Sequence, residues 1–249
     1  GRVQASSDPR ELGTQDVVIN ALKAHQAWES AEHMAPLLGP GTALLTCQNG
    51  VPWWYFHGIG GQFEGRQLQS VDPDGRQWRL IGPERAIGCV VYPATEIAEP
   101  GVIRHVYGDK FAIGEPAGQT LPRTEALSAI LEKAAFKAPI LDNIRDEIWL
   151  KLWGNLCFNP LSALTRGTLD VVATDPGTRA VAKAMMLEAQ DIAHGLGASF
   201  RVDVERRIDG AAKVGAHRTS MLQDLESGRA MEIDALVTAG KGIGGVVGV

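Results

Sequence analysis

Lys151, Asn155 and Asn159 fall at i, i+4 and i+8 in the run Ile148-Trp-Leu-Lys-Leu-Trp-Gly-Asn-Leu-Cys-Phe-Asn-Pro160. At about 100° per residue this spacing drifts by only about 80°, so a helix would project all three from one side. Large apolar residues surround them: Trp149, Leu152, Trp153, Leu156 and Phe158. Two readings follow: a polar stripe on a surface helix that Pro160 ends or kinks, or a site in which one cation and two amides face a polar ligand. A second group lies between Arg218 and Asp234, where Ser220 opens an amphipathic turn, Gly228 breaks it and Glu232 begins another helical stretch. By themselves these read as a helix cap and a solvated acid. Gln48-Asn49-Gly50 ends one apolar run, and Lys23 to Gln26 follow another. Open α/β sheets bind ligands at the carboxyl ends of such strands. An Asn-Gly turn and an ordinary helix start are the alternatives.

The elements that would carry these residues change character along the chain. Asp16–Leu22, Thr42–Cys47 and Ala86–Tyr92 are continuous apolar runs. Lys23–Leu38 between the first two has helical spacing, and Gly39-Pro-Gly41 reads as a turn. Such runs predict parallel strands covered on both faces. Gly101–Val106 and Lys110–Gly114 read as an antiparallel hairpin closing the sheet. From about Thr120 onward the spacing is helical over 121–135, 143–164, 175–195, 202–218 and 220–225, with Thr174-Asp-Pro176 as a helix start. The expected architecture is an α/β domain over residues 1–117, which the resemblance given below makes a partial dinucleotide-binding domain, and an all-α domain over 118–249. Residues 1–13 read as loop and a short turn. The tail from Gly240 holds five glycines in ten residues, and at roughly 1 kcal/mol per helical glycine it should not form a stable helix.

The 249 residues carry 24 Lys+Arg against 29 Asp+Glu, a net charge of −5, with 45% hydrophobic residues. This is globular composition with no basic cluster, which argues against a nucleic-acid or anionic-membrane partner. No apolar run reaches the roughly 18 residues of a membrane span. Cys47, Cys89 and Cys157 are odd in number and far apart, so neither a disulfide framework nor a metal site is expected, and a reducing cytoplasm fits.

Taken together and in order, the segments resemble the ketopantoate reductase family. Asp16-Val-Val-Ile-Asn-Ala-Leu-Lys-Ala-His-Gln26 is similar to its strand and cofactor-side lysine, Gln48-Asn-Gly-Val51 to its second cofactor-side loop, and Ile113-Gly-Glu-Pro116 to its hairpin end. Asn143-Ile-Arg-x-Glu-x-Trp-x-Lys151, continuing to Asn155 and Asn159-Pro, is similar to its catalytic helix. Ser220-Met-Leu-Gln-Asp with Glu232-Ile-Asp is similar to the segment that closes on substrate. The resemblance implies an incomplete Rossmann-like domain joined to a helical domain like that of 6-phosphogluconate dehydrogenase. It also implies NADPH-dependent reduction of 2-dehydropantoate to (R)-pantoate in pantothenate synthesis. Lys151 would then supply a proton and a positive charge to the incipient alkoxide, its pKa lowered by an apolar surround. Asn49, Asn155, Asn159 and Ser220 would bind substrate. Lys23, Gln26, Asn49, Ala94 and Glu232 would meet the cofactor, with Glu232 also offsetting the charge of Lys151. The partner would be a small 2-oxo acid, and a homodimer is the assembly considered.

The departures shape further expectations. The family's glycine-rich turn lies several tens of residues before its cofactor-side lysine, whereas only 22 residues precede Lys23 and none forms it. Gly240-x-Gly-x-Gly-Gly245 follows no strand and is rejected as a substitute. The chain is therefore read as lacking the first βαβ segment and the usual C-terminal helix, and as a weak NADPH binder in this form. Leu169 stands where some relatives place another substrate asparagine. Trp53-Trp-Tyr-Phe-His57 is either core or a run that reshapes the pocket mouth, and on the second reading a different branched 2-oxo acid is the alternative substrate. A non-catalytic structural remnant is the alternative class.

Overall fold

The computed structural model describes residues 3–249; Gly1 and Arg2, the start of the expected N-terminal loop, lie outside them. The chain divides into two compact units, Gly1–Gln48 with Pro52–Ile144, and Asn49–Val51 with Arg145–Val249.

The first unit is built on a four-stranded sheet in which the strands at Gln15–Asn20, Leu38–Thr46, Ala86–Val91 and Phe111–Gly114 lie side by side in that order. Strands β1 (Gln15–Asn20), β2 (Leu38–Thr46) and β3 (Ala86–Val91) are mutually parallel, and β6 (Phe111–Gly114) runs antiparallel to β3. Burial explains β3 and the second half of β2, but β1, expected to be covered on both faces, is the edge strand, with Ile19 55% exposed and only Asn20 buried. Between β1 and β2 the expected long helix is instead two short ones, α1 (Ala24–Ala27) and α2 (Ala31–Met34). Gly39-Pro-Gly41 lies inside β2 rather than before it. The strand bulges there: Gln15 faces Leu38 but Val17 faces Ala43. The Thr42 hydroxyl spans the bulge, donating to Gln15 O at 2.6 Å and accepting Gly39 N–H at 2.8 Å.

The expected hairpin needs correction. Val102–Tyr107 (β5) pairs not with β6 but with Ala94–Glu99 (β4), forming a separate two-stranded ribbon, and only β6 closes the main sheet. Both ribbon strands are exposed along almost their whole length, so no buried face drew β5 to the sheet. After the short helix α3 (Arg76–Leu80) in the β2–β3 connection, the next helix is α4 (Pro122–Lys133). The sequence reading placed α4 in the helical domain, beginning at residue 118. Its Leu127 and Leu131 instead pack with Ala43, Leu45, Ile87 and Ile113 of the sheet. Buried Glu115, just past β6, accepts from Arg123 Nε at 2.9 Å and from Thr124 Oγ1, which fastens α4 to the strand end. The contacts accordingly divide the chain after Ile144.

The second unit is helical: α5 (Ile144–Thr165), α6 (Leu169–Thr174), α7 (Pro176–Gly195), α8 (Val204–Ala212), α9 (Ser220–Glu226), a π-turn over Asp234–Thr238 and α10 (Ala239–Val247). Asp175 caps α7 through Gly177 and Thr178 N–H, as its sequence signal implies. The helix expected over 202–218 stops at Ala212. Pro160 does not end α5, which continues to Thr165 with Leu161 and Ala163 buried beyond it. The glycine tail is also a correction, because it is helical. Ala239, Gly240, Ile243 and Gly244 are buried. A Cβ on Gly240 would stand 2.6 Å from Leu156 Cδ1 of α5, and one on Gly244 3.0 Å from Ile192 Cδ1 of α7. Close packing against two long helices outweighs poor intrinsic propensity.

Candidate active site

Helix α5 is the rigid element of the site. Trp149 and Trp153 are fully buried; Trp153 Nε1 donates to Met186 O of α7 at 2.6 Å, and its ring lies 4.2 Å from that of Phe200. Buried Glu147 pairs with Arg201. These contacts fix the rotation of α5 and so the direction of its remaining face. Lys151 and Asn155 are half-buried on that face, and Asn159 is 6% exposed. The three residues therefore do not form a solvated stripe.

Asn159 Nδ2 donates to Ser220 Oγ at 3.4 Å across 61 residues of sequence. The capping role suggested for Ser220 belongs to its neighbour: Thr219 Oγ1 accepts Leu222 N–H at 3.3 Å. Ser220 is the exposed first residue of α9, with its hydroxyl turned to the asparagine.

Asn49 belongs with the second unit although it follows β2 in sequence. Val51 N donates to Ala235 O at 2.9 Å, and Gly50 has φ +88°. A Cβ on Gly50 would meet Ala235 O at 2.4 Å, so only glycine fits. The loop carrying Asn49 is thereby clipped to the π-turn, two residues beyond half-buried Glu232. In that turn Ala239 N–H bonds Asp234 O, one residue further back than in an α-helix. Leu169, the departure from the family pattern, opens α6.

Lys23, Gln26 and Ala94 lie on the first unit. Lys23 is half-buried at the start of α1. Exposed Gln26 turns its amide oxygen back to Lys23 N–H at 3.4 Å, a local cap. Ala94 opens β4 opposite Tyr107, half-buried. A lysine at the carboxyl end of a parallel strand is a donor suited to an anionic dinucleotide. On that chemistry Lys23 is a residue that could hold the anionic part of a nicotinamide cofactor on this unit.

The aromatic run does not shape a ligand mouth. Trp53, Trp54, Tyr55 and Phe56 are at most 3% exposed. Trp54 Nε1 donates to Thr46 Oγ1 of β2 at 2.9 Å, which makes the run core. Sequence reasoning missed Asn20, the last residue of β1, which is 3% exposed with a side-chain Nδ2 that finds no hydrogen-bond partner among the described residues. An asparagine ending a Val-Val-Ile strand was the signal available. Among the described residues no helix is long and apolar enough to cross a membrane.

The family model described as ketopantoate reductase PanE/ApbA matches residues 2–118, and its C-terminal counterpart matches residues 143–241. A 2-dehydropantoate 2-reductase of Mesorhizobium japonicum is 56% identical over 98% of this chain and 75% of its own length. A solved structure from Ralstonia solanacearum MolK2, assigned as a ketopantoate reductase, superposes with a TM-score of 0.94 at 41% identity, covering 99% of this chain and 75% of that one. The 2-dehydropantoate 2-reductase of Geobacter metallireducens GS-15 gives 0.78 at 28% identity, over 97% and 74%. Matching models over both units and a relative this similar settle the membership: the chain belongs to the ketopantoate reductase family.

Proposed function

We propose that this chain reduces 2-dehydropantoate to (R)-pantoate with NADPH. The carrying observation is the half-buried Lys151–Asn155–Asn159 face of α5, with Ser220 hydrogen-bonded to Asn159. When bound, the nicotinamide cofactor supplies a hydride to the ketone carbon. The chain's own work is to hold the ketone and manage charge and proton. Lys151 Nζ donates to the carbonyl oxygen, stabilises the alkoxide and gives up the proton that completes the alcohol. Asn155 and Asn159 hold the substrate's polar groups without adding buried charge. Asn159 also positions the Ser220 hydroxyl, which donates to the substrate carboxylate. Glu232 offsets the charge of Lys151 and accepts from the substrate or the nicotinamide ribose. Lys23, Gln26, Asn49 and Ala94 complete the cofactor contacts, and Asn49 reaches substrate as well.

Family membership supports a nicotinamide cofactor and a small oxo-acid substrate. NADP over NAD, a homodimer and a cytoplasmic location are the finer parts of the proposal, and they rest on the family resemblance. Absorbance at 340 nm across a panel of 2-oxo acids, with NADPH and NADH in parallel, is the test. Fastest turnover with 2-dehydropantoate and NADPH is expected, and a tenfold preference for another oxo acid overturns the substrate assignment. Lys151→Ala should lower kcat by about 10²–10⁴-fold with NADPH affinity nearly unchanged; near-normal kcat would remove Lys151 from the chemistry.

A further inference from the structure

We infer that Asn20 is a further cofactor-binding residue, its side-chain Nδ2 donating to an acceptor oxygen of the bound nicotinamide dinucleotide. The inference rests on the cofactor reading above. Asn20 ends β1, three residues before Lys23, on the carboxyl side of the parallel strands. Its other polar atoms are satisfied: Oδ1 accepts Leu22 N–H at 3.1 Å, and the backbone carbonyl accepts Cys47 N–H at 2.9 Å. That first bond also fixes the amide orientation, because a flipped amide would set its NH₂ against the Leu22 N–H, donor against donor.

The neighbouring polar groups are already engaged. Thr46, facing Asn20 across the strand pair, accepts from Trp54 and donates to Ile87 O. Gln48 Nε2 bonds Leu22 O. Nδ2 is therefore a buried donor left unpaired among the described residues, an arrangement that native structures avoid unless a ligand or water completes it. Asparagine is also disfavoured in strands, where Val or Thr would serve packing better. A local rule broken at a strand end that faces ligand marks a functional position.

The test uses the full-length protein and two variants. Asn20→Thr keeps an oxygen for Leu22 N–H but falls short of the amide's reach. Asn20→Asp keeps the shape and replaces the donor with an acceptor. Both are titrated with NADPH by calorimetry and melted without cofactor. Expected is a dissociation constant raised about tenfold, as for one lost hydrogen bond. The cofactor-free melting temperature of the Thr variant should be unchanged or higher, and KM for the oxo acid at saturating NADPH unchanged. Unchanged NADPH affinity with a lowered melting temperature would make Asn20 structural, its amide held by a buried water. A raised oxo-acid KM with unchanged NADPH affinity would assign the donor to substrate. Either result overturns the inference and leaves the cofactor reading standing. A wild-type protein that binds no NADPH overturns both.

Discussion

Replacing Gly50 with Ala should damage both the fold and the chemistry, and the structure gives the size of the effect. The residue sits at φ +88°, where an L side chain costs about 1–2 kcal/mol. The new methyl would lie 2.4 Å from Ala235 O and 2.7 Å from its carbonyl carbon. Both are backbone atoms of the π-turn, so no side-chain rotation relieves the clash, and the two segments must separate by close to an ångström. That separation breaks the 2.9 Å bond from Val51 N to Ala235 O. Val51 is 2% exposed, so water does not readily replace the bond, and the loss is about 1–3 kcal/mol. The combined penalty is about 2–5 kcal/mol, or roughly 4–20 °C in Tm for a chain of this size. The protein should still fold at 25 °C, because total stability is typically about 5–15 kcal/mol. Asn49, the next residue, should lose its position, so kcat/KM should fall at least tenfold with Asn49 itself intact. Thermal melts and steady-state kinetics on Gly50→Ala and Asn49→Ala side by side are the assay. A Gly50→Ala protein that melts within about 1 °C of wild type and keeps its kcat/KM would show that the clip positions nothing.

Other perturbations separate roles that the sequence left merged. Ser220→Ala should raise KM for the oxo acid with little change in Tm, since Thr219 carries the α9 cap; Glu232→Ala should lower kcat/KM. If both variants shift only Tm, they lie outside the site. Gly245→Ala should stabilise α10 by about 0.5–1 kcal/mol, because nothing lies within 4 Å of the added methyl and helix propensity improves; a loss of stability in urea unfolding would contradict the helical tail. Burial pushes the Cys157 thiol up to about 12, so at pH 8 its thiolate is on the order of one part in 10⁴. Iodoacetamide followed by peptide mass analysis should modify half-buried Cys47 and spare Cys157. Labelling of Cys157 in the native protein would refute its burial.

The parts of the fold that could be read from the sequence are those in which local preference and burial agree. Three apolar runs became three parallel strands, and the i, i+4, i+8 spacing became one face of α5 because Trp149 and Trp153 bury the others. The β4–β5 ribbon left no such trace. Ile97, Ile103 and Tyr107 are exposed there at 75%, 64% and 74%, so apolar content gave no guide to pairing. The glycine tail misled for the opposite reason: its glycines are the small residues that let α10 approach Leu156 and Ile192. At the candidate site, residue type singles out Lys151, Asn155, Asn159 and Ser220, and the structure brings Asn159 and Ser220 together, yet the cap lies one residue earlier than the sequence suggests. Gly50 read only as a turn glycine, because its contact with Ala235 spans 185 residues of sequence. Asn20 was passed over because an unpaired amide is a property of its surroundings and not of its neighbours in sequence.

The π-turn at Asp234–Thr238 also sets the phase of everything that follows it. One residue more than an α-helical turn requires advances the helix by about 100°. Deleting a single residue there would restore a regular helix and carry Ala239, Gly240, Ile243 and Gly244 around by that angle. Their small-residue face would no longer meet Leu156 and Ile192, and Ala235 O would be drawn back into the helical ladder and away from Val51. The wide turn is thus a length constraint. Substitutions within it can be absorbed one side chain at a time, whereas a one-residue change in chain length rotates a whole helix out of register with two others. Sequence drift in this segment is expected to proceed by replacement and to be closed to insertion and deletion.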